Sequence, residues 1–172
     1  EGETPTDLEL AVGFEAFDDR VRNKAFRKGL SLRSFEECAG KAARHGFRLR
    51  CYFMQKPVVG MTDEEAIADI RNGIDYLASV AARLGMRVNM HLNPTYVARG
   101  TPLAEAFARG EYTPPRLADV ATAVRYAEGK RVAITVGLND EGLVVEGGSF
   151  LRPEEEYLRV ALDRFNLTQD FT

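Results

Sequence analysis

The sequence predicts an α/β protein built of parallel βα units that form part of an incomplete (β/α) barrel of the TIM type. Three observations predict it. Apolar segments of strand length begin near residues 8, 47, 87 and 131, so the repeat is 39, 40 and 44 residues. Segments of helical periodicity separate them, as right-handed parallel crossovers require. Each strand also divides the same way: one face is large and apolar, the other small or polar. The open faces read Ala11, Gly13, Glu15; Tyr52, Met54; Asn89, His91, Asn93; and Ala133, Thr135, Gly137. A doubly wound open sheet is apolar on both faces, so a barrel wall fits better, with helices outside and a concave, partly polar interior.

The elements follow in order. Leu8, Leu10, Val12 and Phe14 alternate with Glu9, Ala11, Gly13 and Glu15, a period-2 strand after the acidic lead-in Glu1–Asp7. Asp18 to Arg22 reads as a short helical turn. Ser34-x-x-Glu37 reads as a capping box opening a helix that Gly46 ends. Phe47 to Met54 is the second strand. Thr62-x-x-Glu65 opens a helix that runs to Leu84 and closes at Gly85. Arg87 to Asn93 is the third strand. Thr101 to Arg109 is a short helix, and the next starts near Pro115 and runs to Glu128. Val132 to Leu138 is the fourth strand and Leu143 to Glu146 a weaker one. Arg152 to Phe165 is the last helix, with Tyr157, Val160, Ala161 and Arg164 on adjoining positions.

Composition narrows the function classes. At 172 residues and 45% hydrophobic, the chain suffices for one sizeable core and reads as a single domain over 1–172. A net charge of -3 gives no nucleic-acid signal, although an enzyme domain can leave RNA binding to another module. No apolar run is long enough to span a membrane, and no charged-then-apolar leader opens the chain, so no membrane partner is expected. Cys38 and Cys51 are the only cysteines and lack CxxC spacing, which leaves a reducing cytoplasm as the default compartment. No Walker pattern, GxGxxG or GxSxG occurs.

The candidate site residues come from the strand tips, where barrels place their chemistry. Glu15 ends the first strand and could accept two hydrogen bonds from a ribose diol; its plain alternative is a solvated turn carboxylate. Asn89, His91 and Asn93 put three polar groups on one face of an apolar strand. Burial without partners costs about 1–3 kcal/mol each, so they pair inside the barrel or meet a ligand. Gln55 and Lys56 follow the second strand, and Lys56 could pair with a carboxylate or phosphate unless it is a solvated loop lysine. Arg99, beside Gly100 and Thr101, could present a cation to an anion; otherwise Thr101 simply caps a helix. Arg22, Lys24, Arg27 and Lys28 could touch a polyanion or form a solvated loop. His91 is not a metal-ligand candidate, because His45 is the only other histidine and lies at a helix end.

Three stretches carry a family resemblance. VGFEAFDDRVRNKAFRKG resembles the fourth-strand region of radical S-adenosylmethionine enzymes of the elongator-like branch, through Gly13, Glu15, Ala16, Asp18 and Asp19, with Ala16 where a small hydroxyl residue is usual. CYFMQKP resembles the fifth strand, and VNMHLNPTYVARGTPLAEAFARGEYTPP the sixth with its extension. The last stretch looks most like the archaeosine-biosynthesis subgroup, a tRNA-modifying family, through Arg99, Gly100, Thr101, Glu105 and the segment from Gly110 to Pro115. The resemblance implies the C-terminal half of a partial barrel. It implies that Glu15 meets the ribose of S-adenosylmethionine, with Gly13, Gln55, Asn89, His91 and Asn93 around the cofactor and Lys56 and Arg99 toward the substrate. The family's CxxxCxxC loop, which holds a 4Fe-4S cluster, does not occur in this chain, so cluster ligands are expected outside it and the fragment alone is expected to be inactive.

Two other readings compete: a stand-alone small α/β ligand-binding or interaction domain without redox activity, and a segment of a hydrolase or aldolase barrel with Lys56 or His91 in acid–base work. A partial barrel also leaves a strand edge open, and the first strand is expected to pair with another copy or to be masked by the acidic lead-in.

Overall fold

The computed structural model describes residues 8–140 and 142–171. Four strands form one parallel sheet in the order β1-β2-β3-β4: β1 is Glu9–Glu15, β2 Arg48–Gln55, β3 Val88–Pro94 and β4 Ala133–Val136. The helices are α1 (Leu32–Arg44), α2 (Asp63–Leu84), α3 (Pro102–Ala108), α4 (Leu117–Arg125) and α5 (Glu156–Thr168). Sequence order equals spatial order, so every crossover turns the same way and the helices collect on one face. This is the predicted α/β barrel wall. The acidic lead-in, and its suggested masking of β1, lie outside the described residues.

The core lies between that face and the helices. Leu49, Cys51 and Phe53 of β2 and Met90 and Leu92 of β3 are fully buried beneath Ile70, Ile74 and Leu77 of α2. Phe14 stacks on Phe53 at 4.8 Å between centroids and meets Phe35 of α1 edge-on at 5.1 Å. Gly73 lets α2 settle on β2: a Cβ there would lie 2.8 Å from the Phe53 ring. Both halves of the Thr62/Glu65 capping box form, and Gly85 closes α2 in the left-handed region at φ 63°.

Several boundaries move. α1 starts three residues before the expected box, because Ser31 is the cap and accepts from the Ser34 N–H at 3.0 Å, while Glu37 pairs with Arg33. The turn after β1 is a π-helical segment, Arg20–Ala25. α4 begins after Pro115 and ends at Arg125; its first N–H groups, Leu117 and Ala118, are accepted by the buried Glu155. Leu143 to Glu146 gives only an isolated antiparallel bridge between Val144 and Ala98.

α5 departs most. A 3-10 turn, Pro153–Glu155, precedes it, and it runs past Phe165 to Thr168. The stripe through Tyr157 and Val160 faces solvent (69% and 56% exposed), and Leu162 and Phe165 pack inward instead. The end of α5 lies along the outer edge of β4. Asn166 accepts from the Val136 N–H at 2.7 Å and donates to the Val136 carbonyl at 2.8 Å. Gln169 accepts from the Ile134 N–H at 3.0 Å and donates to the Ile134 carbonyl at 2.7 Å. Two side-chain amides thus do for β4 what a further strand would. Among the described residues no strand pairs with the other edge of β1.

Candidate functional site

The concave face carries ordered rows set by the strand register. One row is Ala11, Arg50, Asn89 and Ala133; the next toward the C-terminal ends is Gly13, Tyr52, His91 and Thr135. Above them Met54 stands opposite Asn93, with Gly137 just past β4. A cavity of about 600 Å³ opens over this last row. Its lining includes Gly13, Glu15, Tyr52, Met54, Asn93 and Gly137.

Glu15 reaches the cavity through a local distortion. The register slips between Gly13 and Glu15, a bulge that re-aims a side chain, and Glu15 sits in the left-handed region at φ 69°. Its carboxylate pairs with Lys28 at 2.8 Å. Gly13 makes room: a Cβ there would lie 2.9 Å from both Glu15 Oε1 and Lys28 Nζ.

The turn behind Glu15 is tied down from two sides. The Asp69 carboxylate of α2 accepts the N–H groups of Phe17 (3.0 Å) and Asp18 (2.6 Å). Burial pushes the Asp69 carboxyl up, and those two peptide donors oppose the shift. Arg22, fully buried, donates to the carbonyls of Ala16, Phe17 and Leu30 and to Asp19. Arg22 therefore leaves the set of residues available to a polyanion. Asp69, Arg22 and Lys28 were not singled out for this work from sequence. The available signal was Asp69 itself, a carboxylate beside the apolar stripe Ala66, Ile70 and Ile74.

The remaining candidates separate. Asn93 lines the cavity, with His91 one row below, its ring 4.9 Å from Tyr52. Asn89 lies lower still and donates to Thr135 at 2.9 Å. His91 is held below the ordinary imidazole value, first by burial and then by the nearby Arg50, against a hydrogen bond with Asn93. Gln55 belongs to the helix-facing side with Leu49, Cys51 and Phe53; it is 1% exposed, lies off the cavity wall, and its amide finds no partner. Lys56 is no solvated loop lysine. It is 6% exposed, pairs with Asp63 at 2.7 Å and donates to Thr113 at 3.2 Å, beside a separate recess of about 220 Å³. Arg99 is exposed and donates to the Val144 carbonyl at 3.3 Å, while Thr101 caps α3 by accepting from the Ala104 N–H.

A larger groove of about 1100 Å³ lies between the Arg20–Ala25 turn and α2. Its carboxylates are engaged: Asp18 with Arg20, Asp19 with Arg22, Asp69 with peptide N–H groups, and Glu65 in its capping box. The smaller, concave cavity has the better chemistry, with one carboxylate, two amides and largely apolar walls. Among the described residues no group of three His, Cys, Asp or Glu side chains could hold a metal ion. Cys38 is exposed, and burial pushes the Cys51 thiol up to about 12. No described helix is long and apolar enough to cross a membrane.

No family model matches the chain. Among curated proteins it is 29% identical over 121 residues to archaeosine synthase subunit beta of Methanosarcina acetivorans, covering 70% of this chain and 33% of that protein. It is 24% identical over 166 residues to an uncharacterized protein of Methanocaldococcus jannaschii, covering 95% of this chain and 44% of that protein. The chain thus spans less than half the length of these relatives. Among solved structures, Elp3 of the archaeon Methanocaldococcus infernus, with its N-terminus deleted, matches with a TM-score of 0.63 and 17% identity, over 93% of this chain and 37% of that one. At that identity the likeness speaks for the fold, and the shared fold is that of the sheet and its outer helices. The sequence's resemblance to the archaeosine-biosynthesis subgroup is borne out by the archaeosine synthase relative, and its resemblance to the elongator-like branch by the fold shared with Elp3.

Proposed function

We propose that this chain is the S-adenosylmethionine- and substrate-binding portion of a radical iron-sulfur enzyme that modifies tRNA. The observation that carries the reading is Glu15, a carboxylate that a bulge and a left-handed backbone turn toward the cavity at the tip of β1. The residues present fit S-adenosylmethionine. Glu15 would hold the ribose hydroxyls, Tyr52 and Met54 would supply apolar walls, and Asn93 would meet a polar edge. They do not fit the 4Fe-4S cluster, since the described residues offer no ligand group and Cys51 is a buried thiol. The cluster's ligands would belong to the rest of the enzyme, with residues 1–172 as one C-terminal domain. Bound S-adenosylmethionine supplies the adenosyl group; this chain binds, orients and shields it.

A cytoplasmic setting suits two unpaired thiols. The tRNA assignment rests on the archaeosine synthase relative, and the edge of β1 that no strand among the described residues pairs is the place for another strand, from a second copy or from the rest of the enzyme. The test is titration calorimetry of S-adenosylmethionine into the chain and its Glu15→Ala variant. A carboxylate accepting from the ribose contributes about 1.5–3 kcal/mol, so affinity falls roughly 10- to 100-fold. Equal affinities refute the ribose assignment.

A further inference from the structure

Glu15 is the middle residue of a three-residue turn. The Ala16 N–H donates to the Phe14 carbonyl at 3.0 Å, and Glu15 between them has φ 69°. A hydrogen bond of that span around a positive φ is the rare, strained form of the γ-turn. An L side chain prefers negative φ, so a glutamate does not hold this turn unaided. The chain on each side of it must be fixed by the surrounding structure.

On the near side the anchor is apolar. Phe14 is fully buried, stacked on Phe53 and edge-on to Phe35. On the far side the anchor is polar, because the chain is gripped by its peptides. Asp69 gives one carboxylate oxygen to each of two successive N–H groups: Oδ2 accepts from Phe17 at 3.0 Å and Oδ1 from Asp18 at 2.6 Å. Asp69 lies 52 and 51 residues further along the chain, on α2, and is 6% exposed. The carboxylates of the turn itself pair within it, Asp18 with Arg20 and Asp19 with Arg22. Arg22 likewise shapes the turn from inside, through the carbonyls of Ala16 and Phe17. Asp69 is the group that ties the turn to the helix packed over the sheet.

We infer that Asp69 is a positioning residue for the site: its two peptide contacts hold the turn that keeps Glu15 left-handed and its carboxylate on the cavity wall. Without them the chain relaxes at Glu15 to a negative φ, and the carboxylate leaves the cavity. What Glu15 meets there rests on the ligand reading above; the hold on the backbone belongs to the free chain.

The test is Asp69→Asn, which keeps the side-chain shape but turns one acceptor oxygen into a donor facing a peptide donor. NMR of the free chain reads Glu15 directly, since a positive φ gives a strong intraresidue NOE between the amide proton and Hα. The wild type should show it and Asp69→Asn should lose it, while the amides of Cys51, Phe53 and Met90 stay unmoved and report an intact sheet. A Glu15 that keeps its positive φ in the variant overturns the inference. Calorimetry with S-adenosylmethionine gives the second reading. Asp69→Asn should weaken affinity roughly tenfold beside Glu15, and by less than about twofold where Glu15 is already alanine. An equal loss in both backgrounds overturns the inference, because Asp69 then acts on the fold and not through Glu15. If Glu15→Ala alone leaves affinity unchanged, the ribose assignment fails and the NOE decides the role of Asp69. If Asp69→Asn does not fold, amide exchange in the wild type decides: Phe17 and Asp18 protected like the amides of β2 is the expected result, and exchange as fast as an exposed loop overturns the hold.

Discussion

Glu15 joins a strained backbone to a charged side chain. A left-handed conformation costs a non-glycine residue about 1–3 kcal/mol, and here it turns the carboxylate over the cavity. Glycine takes that conformation freely. Glu15→Gly is therefore expected to keep or raise stability by up to about 1 kcal/mol in urea unfolding while losing S-adenosylmethionine affinity. A loss of 2 kcal/mol or more in that experiment, on the order of a lost buried pair, would show that the Lys28 contact holds the fold. His91 predicts a pH dependence. Its folded value lies below the ordinary 6.5, so on acidification the unfolded chain takes the proton first. Its contribution is complete above about pH 6.5 and is lost as pH falls toward the folded value. Melting temperatures followed from pH 7.5 to 5 should fall less steeply in His91→Gln, and parallel curves would contradict this. Gly13 and Asn93 were legible in the sequence because strand alternation alone assigns a residue to a face; Glu15 was legible as a strand-tip carboxylate, but its aim over the cavity comes from the bulge and its left-handed backbone. The placement of Gln55 was legible too, since its parity puts it with Leu49 and Phe53 on the helix-facing side; the family pattern alone pointed it toward the site.

At the scale of elements, α5 shows where periodicity runs out. Tyr157, Val160 and Ala161 form one apolar stripe and Leu158, Leu162 and Phe165 another. Both have helical spacing, and only the position of β4 decides that the second is buried. The choice also carries Asn166 and Gln169 onto the β4 edge, where they satisfy four peptide groups. Replacing both with leucine should cost roughly 2–4 kcal/mol, at about 0.5–1 kcal/mol per lost hydrogen bond, and should make the chain self-associate through the exposed edge. Urea unfolding and light scattering across protein concentration check the two effects, and an equally stable, monomeric double variant would refute the seal. Gly73 gives a sharper packing test. Gly73→Ala drives a methyl into the Phe53 ring and should destabilise by about 1–3 kcal/mol despite alanine's better helix propensity. Caps were legible where they are local: the Thr62/Glu65 box and Gly85 formed as read. The α4 N-terminus was not, because its acceptor, Glu155, lies far along the sequence.

For the molecule as a whole, the sheet winds one way, its helices share one face, and the other face stays open above His91, Tyr52 and Thr135. That division into faces was readable because it repeats on every strand. The loop that presents Glu15 was not, since Asp69, Arg22 and Lys28 reach it from separate segments. The sheet's two edges are also unlike: α5 closes β4, while β1 meets no second strand among the described residues. The central claim is that the concave cavity, and not the larger outer groove, receives S-adenosylmethionine. Amide NMR of the nitrogen-15-labelled chain during titration with S-adenosylmethionine tests it most directly. Saturable shifts at Gly13, Glu15, Tyr52, Asn93 and Gly137, with Val59, Ala68 and Asn72 of the outer groove unmoved, are the predicted result. Shifts confined to the outer groove, or no shifts at all, would contradict it.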